Sequence, residues 1–260
     1  MNYKKVLLLV LLICSLLNAE NTTSNDKETQ KSAWSYDIQL YMLAVWIQGD
    51  SQMGRVNQKF DVDVTPSDIF SNLKMGGMAH AEAHKNSGFG VWLDYAFMNL
   101  GIDSQSKSGL IDNQLGVYQG ILEAFVTYRT VLKYGNLDYF GGVRWWHNDF
   151  DYTLTTVNRS ISSSKTIDWF DPVLGIRWIY PFAKSWSFKA RGDIGGFGIA
   201  SDFTSAIELG VMYDINENWQ VDVRFKSLWV DYEEGTRGEK NRFTYKTVNY
   251  GPIIGMTYRF

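Results

Sequence analysis

A chain of 260 residues, 45% of them hydrophobic, can bury one large core or two small ones, and a formal net charge of −3 excludes the basic footprint of nucleic-acid recognition. Aromatic residues make up 15% of the chain, with tryptophan at 10 positions. The single cysteine, Cys14, lies in an N-terminal apolar run, which excludes disulfide and thiolate chemistry from the rest.

That run is flanked like a secretory signal. Lys4 and Lys5 precede an uncharged stretch from Val6 to Leu17, and Leu17-Asn18-Ala19 before Glu20 offers a small residue at a cleavage point, so residues 1–19 are predicted as a signal peptide. The stretch is shorter than the roughly 20 residues a helix needs to span a bilayer, and Ile13 stands where a lipoprotein signal wants a small residue. Residues 20–33 are polar and predict a disordered leader. Nothing in the domain at 34–260 approaches a membrane-spanning helix, so a membrane crossing there must use strands.

From Trp34 onward apolar residues recur with a period of two. This predicts strands near 35–48, 75–85, 88–100, 116–133, 137–154, 168–182, 186–198, 203–215, 219–233 and 244–260. Connections at Lys85-Asn86-Ser87, Tyr134-Gly135-Asn136, Ala183-Lys184-Ser185 and Asn216-Glu217-Asn218 are tight. Those near 49–74, 101–115, 155–167 and 234–243 are long, and the one at Ala200-Ser201-Asp202 is a short member of the long series. Loop length sorted by side is the habit of transmembrane barrels.

Face chemistry agrees. Trp186, Phe188, Ala190 and Ile194 alternate with Lys189, Arg191 and Asp193; Trp219, Val221, Val223, Phe225 and Trp229 alternate with Gln220, Asp222, Arg224 and Lys226; Tyr118, Leu122, Ala124, Val126 and Tyr128 oppose Gln119, Glu123 and Arg129. Trp186 and Trp219 open strands just after tight turns, and Tyr180 and Tyr213 close the preceding ones, where interfacial girdles belong. The expected fold is all-β: an antiparallel transmembrane β-barrel of about ten strands, with about eight or twelve as alternatives.

The first long loop holds one short helix, with Thr65 as N-cap, Pro66 at the first helical position and Asp68 in the first turn. Two turns are unstable alone, so Ile69, Phe70 and Leu73 must dock, either across the lumen mouth as a plug or on the rim. Pro172 and Pro252 open the similar runs Pro172-Val173-Leu174-Gly175-Ile176 and Pro252-Ile253-Ile254-Gly255-Met256, and each removes a ladder donor and marks an irregularity.

Pro252, Ile254, Met256, Tyr258 and Phe260 form the lipid face of the last predicted strand, with Thr257 and Arg259 inward. The ending Met256-Thr257-Tyr258-Arg259-Phe260 resembles the C-terminal signal of bacterial outer-membrane barrels. Phe60-Asp61-Val62-Asp63-Val64 running into Ser67-Asp68-Ile69-Phe70, and Ala190-Arg191-Gly192-Asp193-Ile194-Gly195-Gly196-Phe197, are similar to a small family of barrels of the OmpA/OmpW-like superfamily. The resemblance implies the outer membrane of a Gram-negative bacterium, with membrane lipid and lipopolysaccharide as surroundings. It also implies recognition of Met256, Tyr258 and Phe260 by the barrel-assembly machinery. A monomer without cofactor or nucleic-acid partner is expected.

By alternation Glu82, Asp94, Glu123, Asp171, Asp193, Glu208 and Asp222 face inward with Arg129, Arg144, Arg177, Lys189, Arg191, Arg224, Lys226 and Arg259. Charges removed from water persist when paired, so these residues predict a mutually satisfied network filling the lumen. The function expected is structural or surface-interacting, not enzymatic. The alternatives are a narrow pore for small solutes and a barrel hydrolase acting on lipid or peptide. His80, Glu82 and His84 share a strand face near Asp94, a weak zinc-like pattern. His147, Asp149 and Asp151 supply acid–base groups for a hydrolase, without a serine whose spacing singles it out.

Overall fold

A computed structural model describes residues 33–54, 60–105, 111–156 and 159–260. The expected signal peptide (1–19) and the leader up to residue 32 lie outside the described residues.

The elements are β1 (Trp34–Leu43), β2 (Trp46–Met53), β3 (Phe60–Val64), α1 (Pro66–Asn72), β4 (Leu73–Lys85), β5 (Phe89–Gln105), β6 (Ile111–Leu132), β7 (Gly135–Thr156), β8 (Arg159–Ala183), β9 (Trp186–Gly195), β10 (Ser201–Asp214), β11 (Trp219–Glu234) and β12 (Phe243–Arg259). Every pairing is antiparallel, and the sheet closes where β1 meets β12, from Asp37 opposite Arg259 to Leu43 opposite Ile253. Of the 12 strands among the described residues, β2 and β3 stand outside the ring, which leaves ten (12 − 2) in the closed barrel.

The strand expected at 35–48 is broken at Ala44–Val45, and its upper part runs on as β2, which pairs with β12 from Trp46 opposite Tyr250 upward. The break faces Pro252, whose carbonyl accepts from Ala44 N at 3.1 Å. Gly251 beside it permits this approach, since a Cβ there would stand 1.9 Å from the Ala44 carbonyl oxygen. Pro172 marks the other irregularity. Its carbonyl accepts the Gly196 N–H at 3.0 Å, and above that point β9 no longer accompanies β8.

The long loops expected at 101–115 and 155–167 are instead mostly strand. β5, β6, β7 and β8 run to 17, 22, 22 and 25 residues. Beyond the bilayer both faces of a strand are wet, so the alternation that marks a lipid-facing strand disappears, and hydroxyl pairs take its place. Thr153 meets Ser162 and Thr155 meets Ser160, each at 3.2 Å. Crossing a bilayer at a tilt takes about 9–11 residues. The surplus of about 11–15 residues in β6 to β8 therefore stands roughly 25–35 Å above the hydrocarbon.

Leu40, Met42, Val223, Phe225, Ile254 and Met256 belong to an apolar outer belt in which side chains are about half exposed or more. Aromatic pairs lie at its short-turn edge, Trp186 with Tyr213 and Trp219 with Tyr258, both at 4.8 Å. In α1 the Thr65 hydroxyl accepts the Asp68 N–H and the Asp68 carboxylate accepts the Thr65 N–H, a reciprocal cap. Only Ile69 docks, at 6% exposure, against Val45, Ile47 and Leu100; Phe70 at 53% and Leu73 at 37% face out, contrary to the expected docking of all three. The reason is position. β4 begins opposite Leu100, and α1 lies against β5 with one side, that of Ile69, turned to the buried cluster.

Candidate functional site in the barrel interior

Inward side chains form three layers. At the short-turn end, Glu82 of β4 meets Arg177 of β8, four strands away, through two contacts, one of them 2.8 Å. The same carboxylate takes His80 Nε2 at 2.7 Å and His84 Nε2 at 2.8 Å. Arg177 also reaches Asp138 at 2.6 Å, and Arg129 donates to Asp138 at 2.7 and 2.9 Å. Below this layer a vestibule of about 410 Å³ opens, lined by Asp37, Arg129, Lys189, Asp222 and Arg259 among others.

The middle layer is a square of two cations and two anions. Arg144 donates to Glu123 at 2.8 Å and to Asp193 at 2.9 Å; Arg191 donates to the same two at 2.9 and 2.7 Å. Arg144 is fully buried, with Thr204 Oγ1 at 3.0 Å as a further acceptor. The Trp92 ring meets both Arg191, 4.5 Å away, and Arg177, 4.9 Å away, which ties this layer to the one beneath. Beside it Arg224 contacts Asp222, Glu208 at 2.7 Å and Gln39 at 2.8 Å, and Lys189 meets Glu208 at 3.1 Å. Asp94 accepts from Tyr41 at 2.7 Å and contacts His80 Nδ1 at 3.2 Å.

The upper layer is aromatic. Trp169 stacks on Tyr232 at 4.0 Å and on Trp146 at 5.3 Å, with Phe243 and Tyr245 packed around them. Asp171 belongs here and not to an ion pair: it accepts from Trp169 Nε1 at 3.0 Å and from Ser201 N and Oγ at 2.9 and 2.8 Å. It fixes the ring and the tight turn together.

Two other expected members sit at the edge of the network. Lys226 is half-buried beside a small cavity it shares with Asp94. Arg259 lies at the vestibule mouth and pairs with Asp214 at 3.0 Å. Sequence reasoning missed Asp138, Gln39, Tyr41 and Trp92. Asp138 shares its parity with Arg144 and was therefore detectable, but it sits beside a tight turn, where an acid is ordinarily solvated.

The two histidine clusters fall differently. His80 and His84 turn their Nε2 atoms to one carboxylate that an arginine already neutralises. Among the described residues no group of three or more His, Cys, Asp or Glu side chains is arranged to hold a metal ion. His147 lies on the outer face of β7 between Asp149, at 3.0 Å, and Asp168; Asp151 does not join it, and Asp168 was not foreseen. Tyr118 and Trp145 pack against its ring.

A closed antiparallel ring with an apolar belt outside and paired charges inside defines a transmembrane β-barrel of the bacterial outer-membrane type. No protein-family profile matches the sequence, and no curated protein matches it significantly. Among solved structures the chain is similar to the translocator domain of the autotransporter NalP from Neisseria meningitidis, at 10% identity and a TM-score of 0.51, over 98% of this chain and 96% of that one. It is similar also to the outer membrane protease OmpT from Escherichia coli, at 9% identity and a TM-score of 0.55, over 92% of this chain and all of that one. The likeness at such identities is one of fold.

Proposed function

We propose that this barrel resides in the outer membrane of a Gram-negative bacterium and acts through its projecting surface, with a lumen that neither conducts nor catalyses. The observation that carries this is the interior: ion pairs reach from β4 to β8 and from β7 to β9, and a stacked Trp146–Trp169–Tyr232 layer lies above them. Open aqueous channels belong to wider barrels whose interior side chains do not meet. The outer belt contacts membrane lipid and lipopolysaccharide, and Met256 and Tyr258 on β12, with Phe260 directly after it, serve recognition by the assembly machinery. The His147 cluster, whose imidazole is packed between Tyr118 and Trp145 on the outer face, takes no catalytic part in this proposal.

Planar-bilayer recording of the refolded barrel tests the closed lumen. The expected trace is flat, while Trp169→Ala combined with Tyr232→Ala introduces brief openings. Discrete unitary steps in the unaltered protein would replace this proposal with a small-solute pore.

A further inference from the structure

We propose that the upper edge of β8, from Ser160 to Phe170, docks a basic, extended segment of another protein, which adds as an antiparallel strand in the lane above β9. This rests on the surface-contact function proposed above and names the surface and the partner chemistry.

The edge is real and regular. β8 pairs with β7 without a register shift from Arg159 to Ile179, but with β9 only from Val173 downward. Among the described residues no strand pairs with the β9-side edge of residues 159–171. Because the Pro172 carbonyl points to the β9 side, and strand residues alternate the edge to which they present N–H and C=O, the groups facing the empty lane belong to residues 160, 162, 164, 166, 168 and 170. Pro172 is the next in that series. Its missing N–H falls where the ladder stops, and no second proline guards the lane above.

Such a row of donors and acceptors is complementary to one thing, another extended backbone. Ser160, Ser162, Ser164 and Thr166 are small and leave the ladder open. At the foot of the lane the Gly196–Ala200 turn presents Phe197 and Ile199, the latter 74% exposed, to the end of an added strand. Asp168, on β8 itself, contacts His147 on the β7 side and keeps 42% of its side chain exposed, with Asp149 and Asp151 one strand further back on β7, so a cross-strand neighbour of Asp168 in the lane is favoured when basic. A second copy does not fit. Two barrels inserted the same way meet with both β8 strands descending, and a two-fold axis along the membrane normal cannot make them antiparallel.

The probe is a fluorescein-labelled, amidated peptide, Lys-Val-Thr-Val-Lys-Val-Thr-Val, titrated into the detergent-folded barrel and followed by anisotropy. Saturable binding is expected, weakened about tenfold or more by Ser162→Pro with Ser164→Pro, which removes two lane-facing donors. Ser162→Ala with Ser164→Ala should bind like the unaltered protein, because the backbone and not the hydroxyl is read. Amide exchange on the unaltered barrel gives an independent readout: Ser160, Ser162, Ser164 and Thr166 exchange fast alone and slow with peptide, while Ile161, Ser163 and Lys165 are slow throughout. Absence of saturable binding, equal binding by the proline variant, or a dimer that the prolines abolish would overturn the docking site. The closed lumen would stand or fall separately on its conductance.

Discussion

Replacing Arg144 with methionine removes one cation from the buried square and leaves Arg191 alone with Glu123 and Asp193. Arg144 has no solvent exposure, and both carboxylates are buried, so neither can recover its lost partner in water. Breaking a buried pair in this way costs about 3–5 kcal/mol, most of it the penalty of a stranded charge. The arithmetic of the square supplies the control. Arg144→Met with Glu123→Gln leaves one cation and one anion, Arg191 and Asp193, 2.7 Å apart, and should recover more than half of the loss. Urea unfolding of the barrel in lipid vesicles, followed by tryptophan fluorescence and by the heat-modifiable gel band, measures both variants. A loss below about 1 kcal/mol for the single variant, or a double variant no better than the single, would mean that water solvates the square and that the lumen is not closed there.

Val223 points outward at 55% exposure between Ile254 and Val211, and Val223→Arg should destabilise the barrel by about 2–4 kcal/mol in vesicles, with Val223→Leu close to neutral. Thr65→Ala removes one half of the α1 cap and should cost about 1 kcal/mol, read as faster exchange of the Ile69 and Phe70 amides with the barrel melt unchanged. Above the membrane, hydrogen bonds from Lys246 and Arg242, at 2.8 and 2.6 Å, hold the Glu233 carboxyl at about 2, below its ordinary 4.5. A depressed carboxyl stabilises above its unfolded value and loses that contribution as pH falls through the folded one. Protection of amides in the upper β11–β12 hairpin, relative to their intrinsic exchange rates, should therefore fall between pH 4.5 and about 2, and unchanged protection would refute the pairing.

The membrane-crossing part of the fold was legible because lipid on one side and paired charge on the other impose a strict alternation, as in β9 and β11. Where that asymmetry ends, legibility ends. Residues 159–165 carry serine on both faces because both are wet, and they read as loop although their backbone is fully laddered to β7. β2 and β3 went unread for a different reason: they are 8 and 5 residues long, too short for their alternation to stand out, although Ile47, Val62 and Val64 do face a buried cluster. The inward charges followed parity, but the aromatic layer did not announce itself. Trp146 and Trp169 share the inward parity of Arg144 and Asp171, yet tryptophan in such a sequence is first assigned to an interfacial girdle. Long-range partners, such as Arg177 with Glu82 across the lumen, are set by strand order around the ring and by no local pattern.

The break at Ala44–Val45 acts as a key for ring closure. A strand sliding along β12 in search of its partner meets an adjacent pair found once in that strand: Pro252, which has no N–H to offer, and Gly251, which leaves room for the Ala44 carbonyl. A slip by two residues keeps every side chain on its proper face and would go unnoticed by lipid, but it would put an ordinary stretch of β1 against this pair. Among the described residues this seam joins the first strand to the last, and the Ala44–Pro252 contact marks its register.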